Sequence, residues 1–388
     1  MSQNAPVYTI LSLDGGGIRG IIPCKVLEYI EARLYDETRQ DGPGIAELFD
    51  LIAGTSTGGL LACGLNIKNE NGRPKYRAAE LMDLYRGEIA GKIFSTSWLG
   101  SVSNIFRSKF PAENIEEVLK SYFGKSRLSD TISDLLITSY NTDAKRPFYF
   151  KSSDYRKNPE VENFLLWEIA RATSAAPTFF PPKKIEYGGI LPILNKDFNL
   201  VQRKINHLSL VDGGVFANNP SLLAYIEARE TLRERGWKLA SHSDAERPVT
   251  ERSRGMFAEV EGVNEELPIL MLSIGTGQTG QPYMYDDVKD WGLVEWVKPL
   301  IDILMQGVSE TVDYQMNHLL PPYADKKKTP RYIRLDITLD PGHDEMDNPE
   351  DENTSRLADY GERIINHEEN RKKLDQVCEL LKMKYQKS

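Results

Sequence analysis

"DLIAGTSTGGLLACG", residues 50–64, decides the fold. An apolar run, Leu51-Ile52-Ala53, leads into Gly54-Thr55-Ser56-Thr57-Gly58, and an apolar helical pattern follows at once. A strand that turns into a helix through G-x-S-x-G has the form of a nucleophile elbow. The reason is steric. A sharp turn holds Ser56 in a strained backbone, and the small residues at 54 and 58 let strand and helix approach closely. The Ser56 hydroxyl then projects from the top of a sheet, above a helix N-terminus that favours negative charge. The plainer alternative for this motif alone is an ordinary strand-to-helix turn capped by Ser or Thr.

Outward from the elbow the pattern alternates. Strands are predicted at 8–13, 47–54, 134–141, 146–151, 207–214, 267–275 and 331–337. Helices are predicted at 20–37, 58–67, 78–94, 165–176, 220–236 and most of 291–320. Strands separated by helices predict an α/β fold whose mostly parallel sheet is covered on both faces. Residues 1–340 form the main body in this reading. The acidic stretch "DEMDNPEDEN" (344–353) reads as a solvated connector. Residues 355–385 read as one or two amphipathic helices, so 341–388 pack on the same body. Residues 241–262 read as a polar surface excursion.

The chain has 388 residues, 40% hydrophobic and 27% charged, enough to bury a full core. A net charge of -9 argues against nucleic acid as a partner, since phosphate contacts need clustered Lys and Arg. Cys24, Cys63 and Cys378 form no CxxC pair, so neither a metal site nor a disulfide framework is expected. Buried thiols in a reducing compartment are expected instead. The N-terminal residues lack a basic signal-peptide region, and no run approaches the ~20 apolar residues of a membrane span. The expectation is a cytoplasmic protein, with peripheral membrane contact left open.

A second glycine stretch, "TILSLDGGGIRGII" (9–22), satisfies G-x-G-x-x-G at Gly15, Gly17 and Gly20. It suits a dinucleotide pyrophosphate, with Asp36 or Glu37 near the ribose, or a different anion. The dinucleotide reading leaves the Ser56 motif unexplained. A serine nucleophile needs a base, and the chain has five histidines. His242 and His343 lie in polar stretches, and His318 and His367 in helical contexts beyond the core strands. His207 opens the strand that Asp212 closes, at the end expected to lie far from Ser56. Asp212, followed by Gly213 and Gly214, is expected at the carboxyl end of a parallel strand, the edge where Ser56 is also expected. An Asp before two glycines is also a common turn former.

"DGGGIRG" (14–20), "GTSTG" (54–58) and "DGG" (212–214) occur in that order, with "ARATSAAPTFFPP" (170–182) and "VDGGVFANNP" (211–220) between and around them. Together they resemble the patatin-like phospholipase family, over roughly residues 8–380. The resemblance implies a three-layer α/β/α sandwich and a lipid acyl hydrolase of phospholipase A, lysophospholipase or esterase type. It implies Ser56 as nucleophile, Asp212 as its dyad partner, and an oxyanion loop at Gly15, Gly16, Gly17 and Arg19, with no cofactor or metal. The N–H of Thr57, next to the nucleophile, is expected to join that hole. An unperturbed Asp has a pKa of ~3.9 and is a poor base, so the site is expected to be dry. The expected partner is a phospholipid or other acyl lipid. Residues 91–110, with Ile93, Phe94, Trp98, Leu99, Ile105 and Phe106, read either as a lid or interfacial segment or as core. Phe179 and Phe180 are candidates for an acyl pocket. Three alternatives stand: an effector-activated bacterial enzyme of the same chemistry, a storage or binding protein with the same site, and an NAD(P)-binding Rossmann enzyme.

Overall fold

Strand β1 (Tyr8–Leu13) is buried along its whole length, so both of its faces are covered. Tyr8 and Ile10 pack into one apolar cluster, Leu11 and Leu13 into another, as the two-residue period of a strand requires. The computed structural model describes residues 8–35, 41–95, 108–194, 200–236, 268–280, 282–323 and 329–386. The remaining strands are β2 (Leu51–Gly54), β3 (Asp134–Asn141), β4 (Arg146–Lys151), β5 (Lys183–Glu186), β6 (Ile190–Leu194), β7 (Leu200–Lys204), β8 (His207–Asp212), β9 (Ile269–Ile274), β10 (Gln278–Thr279), β11 (Tyr332–Leu335) and β12 (Thr338–Leu339). The longer helices are α1 (Ile21–Leu34), α2 (Thr57–Leu65), α3 (Ala112–Phe123), α4 (Leu166–Thr173), α5 (Ser221–Glu234), α6 (Leu293–Leu319), α7 (Asp351–Asn366) and α8 (Glu368–Tyr385).

Strands β11, β9, β1, β2 and β3 run parallel in that order, and β4, β5 and β8 extend the sheet antiparallel. The cluster containing Leu11 and Leu13 is closed by α1, α2, α3, α4, α7 and α8. The opposite cluster is closed by α5, through Ala224, Ala228 and Leu232, and by α6, through Met316. The result is the expected α/β/α sandwich. The three cysteines are free and buried.

The direction of β8 differs from expectation. Asp212 closes an antiparallel strand, with Ser139 opposite Asp212 and Asn141 opposite Leu210. β4 pairs with β3 from Leu136 to Asn141 and so occupies one flank of its outer half. β2 and β8 therefore share the other flank. β2 climbs it until Gly54 faces Ile137, and β8 descends it until Asp212 faces Ser139. The two strand ends meet head to head, about 7 Å apart along β3. Asp212 reaches the elbow from the opposite direction to the one its sequence suggested.

Two local readings also change, and the C-terminal stretch resolves into two helices. The helix expected over 78–94 breaks into Ala78–Leu81, a 3-10 turn at Met82–Tyr85, and Gly87–Ile93, because Gly87 takes a φ of 55° that ends helical progress. The C-terminal helices α7 and α8 are parted by His367, whose backbone is extended. The acidic stretch 344–353 is more than a connector: the Met346 carbonyl accepts the Ile18 N–H at 2.8 Å. The expected excursion at 241–262 lies outside the described residues.

One buried ionic strut ties the first strand to the last part of the sheet. Arg334 of β11 donates to both oxygens of Asp14, at 2.9 and 2.7 Å, and to Asp336 at 2.7 Å. Burial still pushes the Asp14 carboxyl up to about 6, against the pull of the guanidinium. Arg334→Leu would leave the buried Asp14 and the half-buried Asp336 without their cation. The expected loss is about 3–5 kcal/mol at pH 8, read by urea unfolding. The loss is expected to shrink toward pH 5, where a proton on Asp14 relieves the uncompensated charge.

Candidate active site

The turn between β2 and α2 is held from three sides. Ser56 sits at φ 53°, ψ -123°, a region that costs a non-glycine residue about 1–3 kcal/mol. Glycine is required on either side of it. A Cβ on Gly54 would lie 2.4 Å from the Gly58 carbonyl oxygen, and one on Gly58 would lie 2.2 Å from that of Leu13. The Ser56 N–H donates to Thr173 Oγ1 at 2.8 Å, and that hydroxyl donates to the Thr138 carbonyl at 2.7 Å. Thr55 Oγ1 donates to the Ala217 carbonyl at 2.6 Å and lies 2.7 Å from Thr138 Oγ1. Sequence reasoning passed over Thr173. A hydroxyl on the core face of an apolar helix was the available signal.

Asp212 is buried and receives two hydrogen bonds, one from the Ser56 hydroxyl and one from the Gly214 N–H at 2.7 Å. Burial pushes its carboxyl up to about 7, and the two donors only partly offset this. Ser56 and Asp212 are thus brought together as a pair. Among the described residues no histidine lines the adjoining cavity. His207, at the other end of β8, is about 17 Å away along the strand and faces Asp143 at 3.3 Å. His318 bonds to the Tyr314 carbonyl and His343 to the Tyr360 hydroxyl, both at 2.8 Å.

The glycine loop lies beside the same serine. A Cβ on Gly15 would come within 2.4 Å of Asn218 Oδ1 and 3.1 Å of Ser56 Cβ. One on Gly16 would meet Thr276 Oγ1 at 2.1 Å, and one on Gly17, at φ +60°, the Met346 carbonyl at 2.2 Å. A dinucleotide loop keeps such space for a pyrophosphate; here protein fills it. Asp36 and Glu37 lie outside the described residues.

Two corrections concern which groups of the loop remain available. The Gly15 N–H donates to the Asn218 carbonyl at 3.1 Å, so it is not a free donor. Among the described residues, the N–H groups of Gly16, Gly17 and Thr57 donate to none. Arg19 is buried and does not line the cavity beside Ser56. Its Nε donates to the Gly16 carbonyl at 3.3 Å. A trans peptide points its C=O and N–H in opposite directions, so this bond aims the Gly17 N–H. Thr276 Oγ1 donates to the Gly15 carbonyl at 2.7 Å and aims the Gly16 N–H in the same way. Thr57 is steadied by a 2.6 Å hydrogen bond from its hydroxyl to Tyr85 Oη.

A cavity of about 300 Å³ opens at Ser56 and Asp212. Its walls are apolar: Leu60, Leu84, Ile115, Phe179 and Phe180 all line it. Ile93 and Phe94 also line it, so this end of the suggested 91–110 lid is wall. Residues 96–107 of that segment, with Trp98, Leu99, Ile105 and Phe106, lie outside the described residues. Phe94, Phe110 and Phe180 pack ring on ring, with centroids 5.5 Å apart for Phe94–Phe110 and for Phe110–Phe180, and 6.4 Å for Phe94–Phe180. The arrangement can bind an extended apolar chain and present a hydroxyl, a carboxyl and the N–H groups of Gly17 and Thr57 to the group at its end.

Comparison with known proteins agrees. The family model described as "Patatin-like phospholipase" matches residues 11–225. "Patatin-like protein 2" of Arabidopsis thaliana is 31% identical over 388 aligned residues, covering 96% of this chain and 86% of its own. "Patatin-like protein 2" of Oryza sativa subsp. indica is 30% identical over 378, covering 94% and 85%. "Probable inactive patatin-3-Kuras 1" of Solanum tuberosum is 30% identical over 314, covering 80% and 74%.

The environment of Asp212 has a consequence for stability. Its folded pKa lies above its unfolded one, so folding favours the proton. Stability is then fully present below about pH 4 and is lost as pH rises through about 7. Asp212→Asn removes the ionised, buried form. The variant is expected to be more stable than the parent above pH 7, by up to the order of 4 kcal/mol. The advantage should fade with acidification and vanish near pH 4. Urea melts of both proteins across this range check the sign.

Proposed function

The chain belongs to the patatin-like phospholipase family, and from that premise we propose that it is a lipid acyl hydrolase working through Ser56 and Asp212. One observation carries the reading. A strained serine is hydrogen-bonded to a buried carboxyl, which burial pushes up to about 7, at the mouth of an apolar cavity.

The chemistry follows from the placement. Ionised Asp212 takes the Ser56 proton as Oγ attacks the ester carbonyl. The tetrahedral oxyanion lies against the N–H groups of Gly16, Gly17 and Thr57. Each preorganised donor of this kind contributes about 3–4 kcal/mol to the transition state. Protonated Asp212 then passes its proton to the leaving alcohol, and the acyl group stays on Ser56. Water attacks the acyl-enzyme with Asp212 again as base, and the fatty acid leaves. The apolar cavity holds the acyl chain throughout, and its dry walls are what bring the carboxyl within range of a neutral-pH base. Arg19 and Thr276 act as positioning residues, through Gly16 and Gly15. The substrate class is a fatty-acyl ester of phospholipase A, lysophospholipase or simple esterase type.

A fluorophosphonate probe is expected to label Ser56, and Ser56→Ala to abolish both labelling and hydrolysis of p-nitrophenyl esters. Because the base must be ionised, kcat/KM is expected to fall tenfold per pH unit below about 7. Labelling of another serine, or an activity flat from pH 5 to 8, would sink the dyad. A folded chain with neither labelling nor turnover would favour a storage or binding role instead.

A further inference from the structure

We propose that the first half of α6, with the aromatic turn before it, is a docking face for an uncharged or zwitterionic lipid surface. The proposal rests on the acyl-site reading of the apolar cavity. Leu300, Ile303, Leu304 and Gly307 follow the i, i+3, i+4, i+7 spacing of one helix face, and all four are exposed. Leu300, Ile303 and Leu304 keep 49, 44 and 44% of their surface in water. Adjacent large apolar side chains left open in this way mark an interaction surface.

The occupant is indicated by where the face leads. Leu304 also lines the cavity, as do its helix neighbours Ile301 and Met305. Val215, 38% exposed, does the same. One helix therefore carries apolar surface from the outside of the molecule to the cavity beside Ser56. A folded protein partner has no need of that continuity. An acyl chain leaving a lipid layer does, because every methylene that crosses water on the way is unfavourable.

The turn before α6 adds aromatic anchors. Tyr283 packs edge to face on Trp291 at 5.7 Å, and Trp291 on Trp296 at 5.2 Å. The Tyr283 hydroxyl donates to Asp302 at 3.2 Å, which ties this group to the residue before Ile303. Met284 and Tyr285 are 60 and 77% exposed. Tyr and Trp rings, apolar in body and polar at one edge, settle at the depth of lipid headgroups.

Charge selects the kind of lipid. Over 283–304 the sequence carries Asp286, Asp287, Asp290, Glu295 and Asp302 against Lys289 and Lys298, five acids to two bases. Lys289 is itself paired with Asp286 at 2.9 Å. An acidic rim is repelled by an anionic layer and indifferent to a neutral one.

The test separates docking from catalysis. Ser56→Ala protein, unable to turn over lipid, is sedimented with phosphatidylcholine vesicles. It is expected to bind them, with no gain when phosphatidylglycerol is added. Adding Leu300→Glu and Ile303→Glu, neither of which lines the cavity, is expected to lower the bound fraction at least tenfold. In the active chain the same pair should leave p-nitrophenyl butyrate hydrolysis within twofold and cut hydrolysis of vesicle phosphatidylcholine at least tenfold. Tyr285→Ser, at a more exposed position, should move both lipid readouts in the same direction, and it keeps the test open if the double variant fails to fold. Undiminished vesicle binding by the variants overturns the proposal. So does binding that requires anionic lipid, or a dimer in light scattering that the substitutions dissolve, which would give the face to a second copy. If the parent fails on the soluble ester, the reading of Ser56 and Asp212 falls, while sedimentation still decides docking.

Discussion

β3 gives one flank to two strands, and the site depends on how they divide it. β2 uses the flank as far as Ile137 and β8 uses it from Ser139. The Thr138 between them braces the elbow: its carbonyl accepts from Thr173, and its hydroxyl is hydrogen-bonded to that of Thr55. The serine and the aspartate are therefore placed by backbone pairing to a single rigid strand. Neither relies on a long loop for its position. A side-chain pair built on strand ends is held more tightly than one built on loops, which suits the roles proposed for Ser56 and Asp212.

The glycine loop is held differently, by residues far away in sequence. Asp14 is clamped by Arg334, the Gly15 carbonyl by Thr276, and the Ile18 N–H by Met346. All three partners lie beyond the 11–225 span of the family match. The later part of the chain thus belongs to the site as much as the motifs do. The peptide planes of Gly15 to Gly17 are fixed by these residues from outside and by Arg19 from within, whose N–H and Nε both donate to the Gly16 carbonyl.

The motifs were legible in the sequence because their demands are local. Gly54 and Gly58 are glycine because backbone atoms lie within 2.4 and 2.2 Å of where a Cβ would be, and a sequence records that need directly. Buried strands and amphipathic helices were legible for the same reason, through periodicity. The direction of β8 was not, since an apolar run ending in Asp reads identically in either orientation. Nor was the engagement of the Gly15 N–H, because its acceptor, Asn218, is chosen by tertiary packing. The stretch around Met346 looked like solvent-facing acid because its contribution is a backbone carbonyl, which no side-chain pattern reveals. Arg19 was read with the oxyanion loop, and its Nε donates to the Gly16 carbonyl, a backbone contact that no side-chain pattern reveals.

The carboxylate and the cavity are one electrostatic unit. The walls that receive an apolar chain are the same walls that keep water from Asp212. Two hydrogen bonds restrain the rise in its pKa, and they come from the proposed nucleophile itself and from Gly214. Burial alone drives the carboxyl upward and the two donors pull it back. A value near 7 is the balance of these two opposed effects.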